Sequence, residues 1–488
     1  MDLVKKIIGI PGEVTKAGAN VAMTFVGANS FLEIAESAFL RATQMAVLKF
    51  VGIITKTIIG AMVGYVGPIP SIWKAMLDNP ANEELFKYLK RNWWEPATFL
   101  VDLLDPMKRF VSAESPDGTP VSGADAWNDY SELDLHQPMN RHAVFSQVQR
   151  FFKSVIEILK QKDEKDSKFV MDISLDSDGQ ETLWGTTGLK RKEDPNQQPE
   201  TWLFVNGIAG EFYWNRLSVN KLRDFFFDPD TPSTNANGTA HAHGNGSTDT
   251  ASRRTEIKGI FNRSDGILWD LIECGGERRP ETAPVSKPRP FERTKSSTTA
   301  QHQLAKELRA ALTASKTTRK HIVMVAHSQG CLLLRLALEQ IYSDPQHADL
   351  RAPMASLLHV YTFGNPAYDW DVHAYTASTE HFANAADFVA VLGVLRLYKR
   401  NADGPAKTVD VTYCSRCRAG DPDHGRLPTQ KVFVNETQTG HLFGSQYSLQ
   451  QKDYVCANDG QSKSKLLARA RRNVGPQPQP QPQPQARS

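Results

Sequence analysis

Residues 321–334 read His-Ile-Val-Met-Val-Ala-His-Ser-Gln-Gly-Cys-Leu-Leu-Leu, an apolar run joined to a leucine-rich run through a small-x-Ser-x-Gly turn. The first run predicts a buried strand, and the second predicts a helix that begins directly at the turn. A sharp turn in this context lifts a serine hydroxyl clear of the sheet, where it can act as a nucleophile. Ala326 and Gly330 supply the small side chains that so tight a turn requires, and Ser328 is therefore the candidate nucleophile.

The same turn predicts half of an oxyanion hole, which needs two backbone N–H donors. Gln329 starts the helix after the serine, and its N–H has no partner within that helix. The second donor is expected in the loop after an early strand. Residues 202–205 form such a strand, and the glycine-containing loop after them offers Ile208, with Gly207 and Ala209 as alternatives.

A serine hydroxyl needs a base to take its proton and an acid to orient that base. With this type of turn the acid follows the serine in the chain and precedes the histidine. Asp387 comes shortly after a predicted strand at residues 380–384 and is the candidate acid. Asp369 and Asp371 are alternatives, although they follow the preceding strand.

The base is expected on a loop after the last strand. His441 follows the predicted strand at residues 431–435 and lies beside a glycine that lets the loop curl over the site. His424 precedes that strand and is the alternative. A structural role is favoured for His381, which lies within a strand, and the side chain of His327 is expected to point away from the serine hydroxyl.

Strands and helices alternate along the chain, which predicts the α/β class with a mainly parallel sheet covered by helices on both faces. Several of the predicted strands contain short apolar runs, and the predicted helices at residues 141–162 and 301–312 have apolar residues at helical spacing. The strands are placed at residues 169–175, 201–205, 256–261, 321–327, 357–363, 380–384 and 431–435, and the helices at residues 141–162, 211–227, 267–274, 301–312 and 329–342.

Composition and charge exclude some function classes. The chain has 488 residues, of which 40% are hydrophobic, and its net charge is only +3. No basic stripe with interleaved aromatic residues is present, so no nucleic-acid partner is expected. The five cysteines are sparse and odd in number, unlike a secreted disulfide framework, and no clean signal peptide is visible, so an intracellular, cytoplasmic location is expected.

One pair of cysteines has the spacing of metal ligands. Cys414 and Cys417 flank two residues, and His424 lies nearby. A second pair is missing, which favours reduced thiols over a zinc site. We therefore expect no metal at these cysteines.

Composition divides the chain into three parts. Residues 1–130 are rich in helix formers and end in a Ser/Pro/Gly/Asp-rich linker, and residues 131–458 hold the alternating strands and helices. Two insertions of disordered composition are expected near residues 228–254 and 279–297. The basic tail, which ends in a Pro-Gln repeat, predicts disorder over residues 459–488.

The most apolar segment of the N-terminal region covers residues 45–67 and is long enough to span a bilayer. Lys49 and Lys56 lie inside it, seven residues apart, and would share one face of a helix. A lysine at the centre of a membrane costs about 2.5–3.5 kcal/mol. The segment therefore predicts a packed helix or a peripheral membrane contact ahead of a spanning helix.

Five segments of the chain resemble the α/β-hydrolase family, and within it the fungal lipase-like (class 3) branch. These segments are Val205-Asn-Gly-Ile208, Ala326-His-Ser-Gln-Gly330, Tyr361-Thr-Phe-Gly-Asn-Pro366, Ala386-Asp-Phe-Val389 and Gly440-His441. The third looks like the Tyr-Thr-Phe-Gly-x-Pro strand end of that family, and the fourth resembles its Asp-x-Val acid segment. The resemblance covers about residues 165–450.

This resemblance implies a serine hydrolase that cleaves a carboxylic ester or a lipid without a cofactor, with Ser328 as nucleophile, Asp387 as acid and His441 as base. Ala326 departs from the usual first glycine of the turn, and Asn206 stands where a histidine often precedes the oxyanion glycine. The alternative is a non-catalytic hydrolase-like scaffold or a membrane-tethered binding protein, against which the full set of triad candidates argues.

Overall fold

The structure is a computed structural model, and it describes a central part of the chain with gaps. The described residues are 130–134, 137–160, 172–176, 178, 182–189, 200–227, 254–277, 294–396, 398, 413–414, 430–438 and 440–471. The predictions for residues 1–129, including the segment 45–67, lie outside the described residues. So do those for Cys417, His424, most of both insertions and the tail beyond residue 471.

Eight strands within the described residues form one sheet, in the order β1-β3-β2-β4-β5-β6-β7-β8. The six inner strands are parallel, and the edge strands β1 and β8 are each antiparallel to their neighbours. The bounds are β1 (Leu183–Leu189), β2 (Glu200–Val205), β3 (Arg254–Ile260), β4 (His321–His327), β5 (Leu358–Phe363), β6 (Ser378–Asn384), β7 (Lys431–Asn435) and β8 (Val455–Cys456).

Helices connect most of these strands. The α-helices are α1 (Pro138–Lys160), α2 (Phe212–Phe226), α3 (Ile267–Glu277), α4 (Lys295–Thr318), α5 (Gln329–Ser343), α6 (Arg351–Leu357), α7 (Phe388–Leu392) and α8 (Ala468–Arg471), and short 3-10 helices cover Pro345–Leu350, Asp371–Tyr375 and Gln451–Asp453. Within the described part of the chain, every helix is too short or too polar to cross a bilayer.

The sheet buries both of its faces in separate apolar clusters. Along β4, Met324 belongs to one cluster and the next residue, Val325, belongs to the other, because successive side chains of a strand point to opposite faces. Leu308 of α4 and Leu333 of α5 pack into the first cluster. Leu222 of α2 packs into the second. The predicted α/β class, with a mainly parallel sheet between helices, is confirmed.

The parallel strands agree closely with their predicted positions. For each of β2 to β7 both ends lie within two residues of the prediction. The helices at residues 211–227 and 329–342 also agree closely with α2 and α5. The helix predicted at residues 301–312 is longer, since α4 begins at Lys295 and ends at Thr318.

The strand predicted at residues 169–175 is wrong where the structure describes it, because residues 172–175 have no regular structure. Ile173 and Leu175 are buried, which explains their apolar character. Their peptide groups bond to side chains instead of a neighbouring strand: the N–H of Ile173 donates to Asp265 (2.9 Å) and that of Leu175 to Asp178 (2.8 Å). The edge position is taken by β1, which the sequence did not predict.

Two predicted disordered segments are partly wrong. The last residues of the insertion at 279–297 start α4, where Thr294 caps the helix by accepting the N–H of Ser297 at 3.1 Å. The tail predicted to be disordered from residue 459 is described to residue 471, and its Leu466 and Leu467 are buried in the second cluster. Because the segment around them is rich in Lys, Ser and Arg, its composition predicted disorder in spite of these two leucines.

Candidate active site

Ser328 lies at the turn between β4 and α5, as the sequence predicted. Its backbone has φ 56° and ψ −128°, a conformation that is rare outside glycine and that marks a strained turn. Its N–H donates to the carbonyl oxygen of Phe363 at the end of β5 (2.9 Å). A Cβ added to Gly330 would lie 2.6 Å from the carbonyl oxygen of Asn206, so the turn requires glycine there. The neighbouring backbone thus fixes the direction of the hydroxyl.

The three predicted triad side chains meet at the carboxyl ends of the parallel strands. The Nε2 atom of His441 lies 2.7 Å from the Oγ atom of Ser328. The Nδ1 atom of His441 lies 2.7 Å from the Oδ2 atom of Asp387. All three residues are buried. Since a carboxylate only accepts hydrogen bonds, the contact with Asp387 places the ring proton on Nδ1 and leaves Nε2 free to accept the serine proton.

Asp387 uses its two carboxylate oxygens for different tasks. Oδ1 accepts the N–H groups of Val389 (2.9 Å) and Ala390 (3.4 Å) and so caps α7. Oδ2 accepts both His441 and the hydroxyl of Tyr447, the latter at 2.5 Å. Burial is the main cause that raises the pKa of Tyr447 well above its ordinary value, so this hydroxyl keeps its proton and remains a donor.

One side chain of the loop itself and one from β6 hold the loop that carries His441. Gln446 accepts the N–H groups of His441 (2.8 Å) and Leu442 (2.9 Å) through its Oε1 atom. Asn384, at the end of β6, donates to the carbonyl oxygens of Gly440 (3.0 Å) and Gln446 (3.2 Å). Gly440 has φ +90°, which favours glycine and lets the chain turn back over the strand ends.

His327 bonds to His441. Among the described residues, none of its hydrogen bonds goes to the serine hydroxyl. Its Nε2 atom donates to the backbone carbonyl oxygen of His441 (2.7 Å), and the two rings lie 4.8 Å apart. Burial, and then the nearby His441, lowers the pKa of His327 well below its ordinary value. A neutral ring that supports the backbone of His441 is a positioning group and not a base.

The loop after β2 passes directly over Ser328. A Cβ on Gly207 would lie 2.3 Å from the Cβ of Ser328 and 2.8 Å from its Oγ atom. Of the three donors considered, Ala209 is already engaged, because its N–H donates to Asp270 (2.8 Å). Ile208 and Gly207 are the other two N–H groups considered in this loop, and Gln329 is the first residue of α5. The loop after β2 therefore lies against Ser328, and the oxyanion hole itself stays a prediction.

An asparagine network, which the sequence did not predict, holds this loop. Asn206 donates to the carbonyl oxygen of Asn262 (2.8 Å) and accepts the N–H of Asn262 (2.8 Å) and the side-chain amide of Asn215 (2.9 Å). Asn262 in turn donates to the side chain of Gln329 (2.8 Å). The side chain of Asn206 therefore ties the loop after β2 to the loop after β3.

Two buried acids of α3 bond to the loop after β2 and to the start of α5. Asp270 accepts the N–H of Ala209, and Glu273 accepts the side chain of Gln329 (2.8 Å). Burial raises the pKa of Asp270 to about 7. Burial, and then the charge of Glu277, raises the pKa of Glu273 to about 8.

Asp371 and His381 bond to groups outside the triad, and His424 lies outside the described residues. Asp371 accepts the thiol of Cys414 (2.9 Å), and it is Asp387 that contacts His441. His381 bonds to Thr362 (2.6 Å) and Gln430 (2.9 Å) inside the sheet, and burial lowers its pKa to about 3, as expected of a structural histidine. The described residues contain no group of three or more His, Cys, Asp or Glu side chains that could hold a metal ion.

Asp369, the other alternative acid, is buried. Gln446, Tyr447 and Asn262 are among the groups that the sequence did not single out here, since a polar residue on a loop gives no signal of its partner. The proximity of Gln446 and Tyr447 to His441 in the chain is the one clue that the sequence offered.

Comparisons of the chain with protein-family models, with curated proteins and with solved structures gave no match. Its function is therefore inferred from the geometry of the site and from the resemblance of its short motifs.

Proposed function

We propose that this chain is a serine ester hydrolase with an α/β-hydrolase fold that resembles the class 3 lipase-like branch. The single observation that carries the proposal is the continuous hydrogen-bonded relay from Ser328 through His441 to Asp387, with 2.7 Å at each step. The proposed substrate is a carboxylic ester or a lipid, and no cofactor takes part. In this proposal the enzyme is intracellular, and the apolar segment at residues 45–67 brings it to a lipid surface.

In the first half of the proposed reaction, the Oγ atom of Ser328 attacks the carbonyl carbon of the ester while Nε2 of His441 takes the hydroxyl proton. The carbonyl oxygen becomes an oxyanion, which the backbone N–H groups of Gln329 and Ile208 stabilise. Asp387 stabilises the imidazolium ion that has formed. The intermediate then expels the alcohol, which receives its proton from His441, and the acyl group stays on the serine.

In the second half, a water molecule attacks the acyl carbon and gives a proton to His441. The second tetrahedral intermediate collapses, the proton returns to Ser328, and the carboxylic acid is released. The charge on the oxyanion develops at the same place in both halves. Loss of one oxyanion donor in such sites costs about 100- to 1,000-fold in kcat.

The test is labelling by a fluorophosphonate probe, which reacts with an activated serine. The wild-type chain should be labelled, whereas Ser328→Ala and His441→Ala should not. Ser343→Ala is the matched control, because Ser343 lies exposed at the end of α5 and bonds only to helix carbonyl groups among the described residues. Labelling that survives Ser328→Ala would refute the nucleophile.

The substrate class is tested with p-nitrophenyl esters of increasing acyl length, with and without phospholipid vesicles. A wild-type chain that is folded, unlabelled and inactive on every ester would contradict the proposal. That result would favour the non-catalytic scaffold.

A further inference from the structure

The loop after His441 is held by a buried lysine from another part of the chain. The Nζ atom of Lys221, on α2, donates to the carbonyl oxygens of Phe443 (2.8 Å), Gly444 (2.7 Å) and Tyr447 (2.5 Å). An ammonium group has three donors, and these three carbonyl groups engage all of them. The ammonium also lies 5.4 Å from the ring centroid of Phe443. One side chain thus fixes the curvature of the whole turn.

A buried glutamate holds the opposite side of the same turn. Glu132 accepts the N–H of Gly444 at 2.6 Å and the N–H of Ser445 at 3.0 Å, one on each carboxylate oxygen. The backbone approaches so closely that a Cβ on Gly444 would lie 2.0 Å from the carbonyl oxygen of Tyr130. Glu132 and Lys221 therefore bind the peptide groups of the same turn. Glu132 accepts its N–H groups, and Lys221 donates to its carbonyl oxygens.

Burying these two charges is costly. Desolvation of an ion in a protein interior costs several kcal/mol unless hydrogen bonds compensate for it. Burial raises the pKa of Glu132 and lowers that of Lys221 to about 8, and in each case the charge of the other opposes the effect. Neutral side chains could close a surface turn at lower cost. The use of two charges therefore indicates that the turn has to be held in one conformation.

The turn so held is the part of the chain that orients the triad. Its Gln446 accepts the N–H of His441, and its Tyr447 donates to Asp387. A shift of the backbone at residues 443–447 would move both contacts together. Lys221 bonds to the backbone of Tyr447, the side chain of Tyr447 bonds to Asp387, and Asp387 bonds to the imidazole of His441.

We propose that Lys221 and Glu132 are positioning residues that set the orientation of the His441 imidazole relative to Ser328. This inference depends on the proposed function, in which His441 is the base. Neither residue touches the reacting atoms. A misplacement of about 1 Å at a catalytic group costs about 100-fold in rate, so the pair acts on the chemical step and not on substrate binding.

The test uses Lys221→Met and Glu132→Gln in the full-length chain, with p-nitrophenyl acetate as substrate. Both substitutions keep the size of the side chain while removing a charge. We expect kcat to fall by about 10- to 100-fold with KM almost unchanged, and fluorophosphonate labelling of Ser328 to slow by the same factor. A purely structural role would lower the fraction of folded enzyme and leave the kcat of the folded fraction intact.

The matched control is Glu380→Gln. Glu380 is also buried and also accepts backbone N–H groups, those of Lys465 (2.8 Å) and Leu466 (3.4 Å), but it serves the C-terminal segment. This variant should lose stability without a loss of kcat. If Lys221→Met does not fold, Glu132→Gln decides alone.

An unchanged kcat in both variants, or an equal loss of kcat in Glu380→Gln, would overturn the inference. The outcome is distinct from failure of the proposed function, in which the wild-type chain itself would be neither labelled nor active.

Discussion

The Oδ2 atom of Asp387 accepts hydrogen bonds from two side chains of the candidate site. His441 lies 2.7 Å from it and the hydroxyl of Tyr447 lies 2.5 Å from it. A carboxylate oxygen has room for two donors, and the second donor restricts its rotation. Tyr447 therefore restrains the carboxylate that bonds to the imidazole.

Tyr447→Phe should lower kcat/KM by about tenfold, since a hydrogen bond to a charged group contributes about 1.5–3 kcal/mol and the imidazole bond remains. The measurement is hydrolysis of a short acyl ester. Tyr454→Phe is the control, because Tyr454 is equally buried and donates to the carbonyl oxygen of Ser448 (3.0 Å). Equal activity in the two variants would show that the second donor has no role.

The helix α7 and the triad share one residue. Asp387 is the N-cap of α7 and accepts Val389 through one oxygen, while the other oxygen faces His441. An N-cap fixes the side-chain direction, because its acceptor has to reach the first turn of the helix. The cap thus directs the Oδ2 atom of Asp387 toward the imidazole, so that formation of α7 also orients the candidate acid.

Asp387→Asn should separate these two tasks. The Asn oxygen can still cap α7, but its amide nitrogen would face Nδ1 of His441 and favour the tautomer that cannot accept the serine proton. We expect kcat to fall by about 10⁴-fold with the melting temperature almost unchanged. Asp344→Asn is the control, since Asp344 likewise caps a helix, the 3-10 helix Pro345–Leu350, by accepting the N–H of Gln346 at 2.9 Å. A loss of kcat that follows a loss of folded protein would refute this separation.

Two buried carboxyl groups of α3, those of Asp270 and Glu273, bond to Ala209 and Gln329, and burial raises the pKa of each. Glu273 has its pKa raised from 4.5 to about 8, chiefly by burial. The folded protein therefore keeps this proton in a range where the unfolded chain has released it. Because the folded state binds more protons there, the free energy of unfolding falls as the pH rises from 4.5 to about 8.

Glu273→Gln should flatten that pH dependence, because the amide does not titrate. The measurement is the midpoint of urea denaturation at pH 5 and at pH 8. The wild-type midpoint should be lower at pH 8, and the difference should shrink in the variant. Glu256→Gln, at an exposed side chain of β3, should behave as the wild type. An identical pH dependence in wild type and Glu273→Gln would contradict the assignment.

Residues 464–469, which follow the loop that carries His441, pack against the sheet and bond to two of its strands. Ser464 and Lys465 bind the buried Glu380 of β6, and Arg469 bonds to Glu200 of β2 at 3.0 Å. Leu466 is buried in the cluster on the same side. The segment therefore connects two strands that are not neighbours in the sheet.

Truncation after residue 471 should leave the melting temperature close to that of the full chain. Truncation after residue 458 should lower it, because Leu466 and Leu467 together contribute roughly 3 kcal/mol or more by burial, and Glu380 would lose its partners. Thermal unfolding of the two truncated chains and the full chain measures the difference. Equal melting temperatures for both truncations would show that the segment adds no stability.

Local patterns carried much of the fold and the candidate site. Strands β2, β4 and β7 contain continuous apolar runs, because a parallel strand is buried on both faces, and such runs stand out in a sequence. Ser328 stood out through its small neighbours, whereas Asp387 and His441 were chosen by their order after particular strands. The edge strand β1 was missed, since residues 183–189 alternate little and contain two glycines.

Contacts between distant parts of the chain had no such signal. Lys221 and Glu132 hold a turn more than two hundred residues away, as the spacing of 222 between Lys221 and Phe443 shows. Asn206 and Asn262 meet because β2 and β3 are neighbours in the sheet, an order that their sequence does not state. A chain pattern records which residues are apolar, small or polar, because those properties are local. It does not record which polar groups come within hydrogen-bonding distance, because that depends on how the strands are ordered and where each loop ends.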